Sequence, residues 1–402
     1  MKIAVVIKDC AFAKGGAERY ASRLLWRLAE EQKHTLHLFS HSWDSRLEER
    51  VQCHFVSYQR KPGFLKQRSF AKNVKNQLAK YNFDLVLGLT QFFPMDIYRT
   101  GGGFYLSYLE KRYSGAKLGW LKKWGPKATF MIHLEKKMMR SARTYFFMAN
   151  SHLCRDELVN RYGVSPNRIT VIYNGVNRKM FNTLHRRRHR QEIRTQYQIS
   201  EDEVVLLFVG NGFGRKNLET VLQTAKELGS DLPRFRFVVV GKGGIGFYRK
   251  KAKELGVEKQ FLFLGPQEQV HPWYQAADVL IHPAFYDPCS NACLEALACG
   301  LPVLTTQTNG AAHWITDGKN GFVIQDPRDA ASFAQKAKLF LDSSKREKMR
   351  HDAPETVASL TDENHDAALI TLLEKAFLHK KKVERLQVES PFYAKNRNLS
   401  AL

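Results

Sequence analysis

Residues 282 to 303 read His282-Pro-Ala-Phe-Tyr-Asp-Pro-Cys-Ser-Asn-Ala-Cys-Leu-Glu-Ala-Leu-Ala-Cys-Gly-Leu-Pro-Val303. Ser290 and Asn291 are N-cap types, Gly300 suits the position just past a helix end, and Pro302 blocks continuation. A short helix is therefore expected over 292–299. Apart from Glu295 it holds only Ala, Cys and Leu, so it has no polar face to show to water and should be largely buried. An ionised carboxylate is rarely buried unpaired, and this helix offers Glu295 no donor of its own. Ligand hydroxyl groups would supply one. Asp287 lies in the loop before the helix and adds a second carboxylate near backbone N–H groups that suit phosphate. The plainer alternative is a turn aspartate before Pro288 and a glutamate reaching solvent. It fits an ordinary surface helix better than this apolar one.

The sequence on either side of this run gives the fold class. Apolar strands are expected at 204–209, 235–240, 261–264, 279–281 and 301–305, with helices between them, which is the pattern of a doubly wound parallel sheet. The first strand runs into Gly210-Asn-Gly-Phe-Gly-Arg-Lys-Asn217 and a helix to about 228. The first half of the chain has the same plan. A strand at 3–7 leads through Gly15 and Gly16 into an amphipathic helix to about 30, and strands at 36–40 and 84–89 flank a helical segment at 66–80. The polar run 182–202, with Arg186, Arg187 and Arg188, reads as a linker. Closing helices are expected at 330–341 and 367–378, and the basic, apolar-poor stretch from 380 to 402 reads as a loosely held tail. The expected organisation is a domain at 1–182, a second at 183–360, a C-terminal helix at 361–380 returning to the first domain, and a basic tail at 381–402.

At 402 residues the chain exceeds what one core serves, and 44% hydrophobic residues are enough to build two. Sixty-three Lys and Arg against 39 Asp and Glu leave a net charge of +24, which points to an anionic partner. Between 110 and 143, Lys and Arg residues alternate with Tyr113, Trp120, Trp124, Phe130 and Met138, opposed only by Glu110 and Glu135. Such a segment suits an anionic membrane surface, with the aromatics at headgroup level. A solvated basic helix with an apolar core face is the alternative, and nucleic acid is disfavoured because no recognised binding motif accompanies the charge. The six cysteines show no paired spacing and read as reduced core residues. The apolar run at the start is too short for a signal-peptide core, and no stretch reaches the ~18 apolar residues of a spanning helix. The expectation is a cytoplasmic protein, peripheral on the membrane.

Arg215 and Lys216 follow Gly214 at a strand-to-helix turn. Cations there oppose the helix dipole, so their presence argues for an anion held between them and the loop N–H groups. Gly15 and Gly16 would let the backbone of the first domain approach the same anion. Gly241-Lys-Gly-Gly-Ile-Gly246 formally satisfies a dinucleotide fingerprint. A dehydrogenase would then need an acidic residue closing the next strand, where Gly265-Pro-Gln267 stands instead. Asp-x-Asp occurs nowhere in the chain, so no metal is expected.

The run from Asp287 to Val303 resembles the signature of family 4 glycosyltransferases, in which an acidic residue, seven others and a Glu precede Ala-Leu/Met-Ala-x-Gly-x-Pro-Val. Asn174-Gly175-Val176 is similar to the turn that closes that family's first domain. The resemblance covers nearly the whole chain and is strongest across 204–324. It implies an α/β chain of GT-B architecture, two facing Rossmann-like doubly wound domains with an interdomain cleft. It also implies retaining, metal-independent and cofactor-free transfer of a hexose from a nucleotide sugar. Phe213-Gly-Arg-Lys216 and the basic 110–143 segment look most like glucosyltransferases of the lipopolysaccharide core, which implies UDP-glucose as donor and an anionic glycan or glycolipid as acceptor.

Under the resemblance, Asp287 binds the donor sugar's hydroxyls, Glu295 the ribose, and Arg215 with Lys216 the diphosphate. Gly241 and Gly243 line the nucleotide pocket and Gly265 lies near the base. Gly15, Gly16, Gly212, Ser290 and Asn291 complete the candidate donor-binding set, and Arg215, Lys216 and Asp287 are the candidate catalytic residues. The chain departs from the family pattern at Asp287, where Glu is usual, and at Ser290, where Gly is common. His313 stands where many relatives have Glu and reads as a packed histidine. Gly102 stands where lipopolysaccharide-core relatives often carry an acid near the acceptor. Two rival readings are a different polysaccharide or lipid-linked acceptor, and a non-enzymatic basic protein on the membrane surface with an inactive donor site. The retained Arg215, Lys216 and Glu295 speak against the second.

Overall fold

Continuous apolar runs become parallel strands covered by helices on both faces. The computed structural model describes residues 1–12, 15–31, 33–59, 63–114 and 125–389. Its first sheet has seven strands in the order Gln52–Phe55, Thr35–Ser40, Lys2–Val6, Leu85–Gly88, Ile97–Arg99, Phe146–Ala149, Ile169–Val171. The second has six, in the order Phe261–Gly265, Phe235–Val240, Val204–Val209, Val279–His282, Val303–Thr306, Gly321–Ile324. Val5 pairs with Leu38 on one side and Leu87 on the other, and Leu206 pairs with Phe237 and Val279. In both sheets the strand order reverses beside the first strand. Loops leave that point in opposite directions and open a crevice at the carboxyl ends of the strands.

The last helix, Asp362–Glu389, returns to the first domain. Its Leu369, Leu372, Leu373 and Ala376 pack into the core formed by Ile3, Val5, Leu24, Leu25 and Leu28. Asp366 pairs with Arg27 at 2.5 Å, and Asp362 pairs with Arg23. Part of the stretch read as a loose tail is therefore helix, to Glu389. Lys380 holds it down, donating to Asp96 at 3.1 Å and to the Phe83 carbonyl at 3.2 Å. Residues 390–402 lie outside the described residues.

The run read as a polar linker also folds, with Arg186–Gln196 forming a helix. Its arginines converge on Asp278, which is 1% exposed. Arg194 reaches that carboxylate at 2.8 Å and Arg190 at 3.1 Å, joined from the opposite side by Arg350 at 3.0 Å. Residues 115–124, the centre of the basic aromatic segment, lie outside the described residues. The helix Pro126–Arg140 that follows buries Leu134, Met138 and Met139 and exposes Lys127, Lys136, Lys137 and Arg140. Glu135, one of the two acids opposing that charge, is buried and accepts the Tyr105 N–H at 2.6 Å. Five of the six free cysteines are buried. Among the described residues no helix is long and apolar enough to cross a membrane.

Candidate active site

The glycine loop after strand Val204–Val209 and the polar loop after strand Val279–His282 leave the second sheet at its reversal point. They meet there. Lys216, from the first loop, is buried with its ammonium on Asp287 Oδ2, from the second. His282, fully buried at the end of its strand, contacts the same oxygen through Nε2 at 3.1 Å. Burial opposes the charge on Asp287, but the Lys216 ammonium and the His282 hydrogen bond prevail and hold the carboxyl well below its usual range. Burial, with Lys216 nearby, keeps the His282 pKa below its ordinary value. The imidazole therefore donates to Asp287 as a neutral ring. His282 was not singled out from the sequence, since a histidine closing a buried strand reads as core.

Asn217 adopts φ +62° at the N-cap of helix Leu218–Glu227, which turns the loop back. Arg215 is left exposed beside Lys216. Gly212, at φ +74°, donates its N–H to the Lys242 carbonyl at 2.7 Å, so the two glycine loops of this domain lie against each other. Gly241 is required by its φ of +129° and by the Gly210 carbonyl, which a Cβ would approach to 2.0 Å. Gly243 leaves room for the Phe213 ring, 2.2 Å from where a Cβ would sit, and Gly265, at φ +74°, accepts the Gly241 N–H at 2.8 Å. These three glycines thus have packing or backbone reasons for their identity.

Helix Asn291–Ala298 starts at Ser290, whose side chain makes no capping bond. Its backbone N–H is instead held by Asn309 Oδ1 at 3.1 Å. Glu295 does find a protein donor, since the Tyr274 hydroxyl reaches its Oε2 at 3.0 Å. Burial still dominates and pushes the Glu295 carboxyl up to about 7, against Tyr274 and the charges of Arg19 and Arg23. Those two arginines belong to helix Gly16–Glu30 of the first domain. Gly15 is that helix's N-cap, and a Cβ on Gly16 would lie 3.6 Å from Asn291 Nδ2. The glycines therefore bring the N-terminus of a first-domain helix up to the start of the Glu295 helix. Asn291 Oδ1 accepts from Asn174 Nδ2 at 2.6 Å, and Asn174 is in turn bound by Arg99, which stacks on Tyr20 at 3.6 Å. Tyr274 and Arg99 join this site from distant positions that carry no local signal in the sequence, whereas Asn174 belongs to the Asn-Gly-Val turn noted above.

His313 packs on His152 of the first domain with ring centres 4.3 Å apart. Among the described residues no group of three or more His, Cys, Asp or Glu side chains is placed to hold a metal. An open cavity of about 820 Å³ lined by His34, Trp43, Glu48, Arg50 and Cys53 lies at the edge of the first sheet and contains none of the candidate site residues. The crevice is thus bounded by a cation pair, an ionised carboxylate, a carboxyl poised near neutrality and three helix N-termini. That set fits a phosphorylated, hydroxyl-rich ligand.

Residues 14–179 match the family model described as Glycosyltransferase Family 4, and residues 189–356 match Glycosyl transferases group 1. The chain is 25% identical over 319 residues to the lipopolysaccharide glucosyltransferase WaaG of Escherichia coli (strain K12), covering 79% of this chain and 83% of that one. It is 31% identical over 199 residues to the D-inositol 3-phosphate glycosyltransferase 2 of Catenulispora acidiphila, covering 46% of each. In three dimensions it resembles the crystal structure of WaaG with a TM-score of 0.77 at 22% identity, over 91% of this chain and 99% of that one. It also resembles a sucrose-phosphate synthase from Thermosynechococcus elongatus, with a TM-score of 0.74 at 19% identity, over 94% and 99%.

Proposed function

Because the chain belongs to the family 4 glycosyltransferases of GT-B fold, we propose that it moves glucose from UDP-glucose to a lipopolysaccharide-core or similar membrane-held anionic glycan, with retention and without a metal. The observation that carries this reading is the meeting of Lys216 with Asp287 at the reversal point of the second sheet, opposite the Gly16 helix. An ammonium has three N–H groups. One serves Asp287, and the others are free for a diphosphate that the exposed Arg215 also reaches. Asp287 engages both protein partners through Oδ2, which leaves Oδ1 to accept from a sugar hydroxyl. Glu295 accepts ribose hydroxyls.

In the transfer the bond from the sugar C1 to the diphosphate oxygen breaks, and the acceptor oxygen bonds C1 on the same face. The departing phosphate oxygen takes the acceptor's proton. Lys216, Arg215 and the N-terminus of helix Leu218–Glu227 stabilise the charge that develops on that phosphate. The glucose and core-glycan assignments are supported by the likeness to the lipopolysaccharide glucosyltransferase. The surplus of +24 and the exposed basic face of helix Pro126–Arg140 favour an anionic acceptor at a membrane face.

The test is incubation of the purified protein with a panel of nucleotide sugars, reading nucleotide release and transfer. UDP-glucose should be turned over, with Glu295→Ala at least about tenfold weaker. Binding of no nucleotide sugar, together with no effect of Glu295→Ala, would sink the proposal. In the same protein, sedimentation with phosphatidylglycerol vesicles that disappears at high salt tests the membrane surface.

A further inference from the structure

Tyr286 belongs to the second domain by sequence, yet its ring is 3% exposed in the first domain's core, among Phe104, Cys154, Leu158 and Tyr162. The socket exists because Gly103, at φ +69°, carries no side chain. A Cβ there would come within 2.5 Å of the Tyr286 ring. At the bottom the phenol oxygen accepts the Phe104 N–H at 3.2 Å and donates to Glu157 Oε2 at 3.4 Å. Glu157 also takes the Ser107 hydroxyl at 2.5 Å. On the other flank of Asp287, the Pro288 carbonyl accepts the hydroxyl of Ser151, again a first-domain residue, at 2.5 Å. Asp287 is therefore the middle of a bridge whose two neighbours are both anchored in the opposite domain. The backbone of Asp287 itself is held by its own domain, through the Thr308 carbonyl at 3.0 Å and the Gly310 N–H at 2.9 Å.

We infer that Tyr286 is a positioning residue, seated in the Gly103–Glu157 socket of the first domain, that sets the Asp287 carboxylate against the donor sugar. This rests on the donor reading above and adds a device that reading does not contain. The second domain holds Asp287 by its backbone, Lys216 and His282, while the first domain fixes the residues on either side of it, so the final placement of the carboxylate against the sugar depends on the approach of the two domains. The loop before helix Tyr105–Tyr113 supplies the socket.

The consequence is specific to the sugar. Asp287 is assigned to the hexose, whereas the nucleotide is assigned to Glu295 and the cation pair. Titrating UDP and UDP-glucose separately by calorimetry isolates the hexose contribution as the ratio of their Kd values. Tyr286→Phe keeps the ring and removes the hydroxyl, and should lower that ratio about three- to tenfold at unchanged UDP affinity, the worth of the lost hydrogen bonds. Gly103→Ala, made in the other domain, should do the same by crowding the ring. Adding Tyr286→Phe to Asp287→Asn should cost no further sugar affinity. Both single variants keeping the wild-type ratio would overturn the inference, as would UDP and UDP-glucose affinities falling in parallel. A wild-type protein that fails to bind UDP-glucose overturns the donor reading itself, a separate result that is obtained before any variant is made.

Discussion

Glu295 is the residue the sequence exposes most openly, because a carboxylate in an otherwise apolar helix needs an explanation wherever the helix lies. What the sequence could not show is Tyr274, its donor, which comes from helix His271–Ala276 and is fully buried. Burial raises the Glu295 carboxyl from 4.5 to about 7. For an acid raised on folding, the proton stabilises the native state, so this contribution is present below 4.5 and is lost as pH climbs through about 7. Nucleotide binding has the opposite slope. Ribose hydroxyls donate to the ionised form, so UDP should bind more tightly at about pH 8 than at about pH 6, with a proton released near neutrality. Calorimetry in buffers of different ionisation heat would show the proton. Glu295→Gln should remove both the slope and the release, and a Gln variant with the wild-type pH dependence would assign the titration elsewhere. Asp287 was equally legible as a candidate, but its lock with Lys216 and His282 was not. His282 closes the strand just before Asp287, but Lys216 lies on another loop 71 residues away, and only the fold brings it to them.

Strand and helix elements were legible wherever apolar runs were continuous, which is why both doubly wound sheets could be read along the chain. The arginine-rich stretch ahead of the second domain was not, because charge there suggests solvent. Its partner, Asp278, lies more than eighty residues on and gives no hint of burial in the sequence. Around that carboxylate Arg194 and Arg350 are themselves nearly fully buried. Burial works against the Asp278 charge, yet the surrounding guanidinium groups hold its pKa below the ordinary value. Taking away one member of such a buried pair leaves the other charge uncompensated, at a cost of about 3–5 kcal/mol. Asp278→Asn should lower unfolding stability in urea by about that much. It should also free helix Arg186–Gln196 from helix His271–Ala276, so that trypsin cuts within 186–196 in an otherwise folded protein. Undiminished stability would mean that the helix is held by its apolar contacts alone.

At the scale of the whole molecule the chain crosses between domains once before helix Arg186–Gln196 and again before helix Asp362–Glu389, and the crossings lie side by side. The Val176 N–H donates to the Leu360 carbonyl at 2.8 Å, and Gly175 has no side chain because a Cβ there would meet Asp362 Cα at 2.7 Å. This is hinge geometry, two adjacent strands of backbone between bodies with separate cores. It also means that the first domain is incomplete until the last helix is made, since Leu369, Leu372, Leu373 and Ala376 close its core. Leu373 is fully buried there, and Leu373→Ala should cost about 2–5 kcal/mol. That loss belongs to the first domain although the residue lies beyond the second in sequence. Scanning calorimetry should therefore show the first-domain transition moving to lower temperature while the second-domain transition holds. Helix Asp362–Glu389 would have to be reassigned to the second domain if the two transitions moved together.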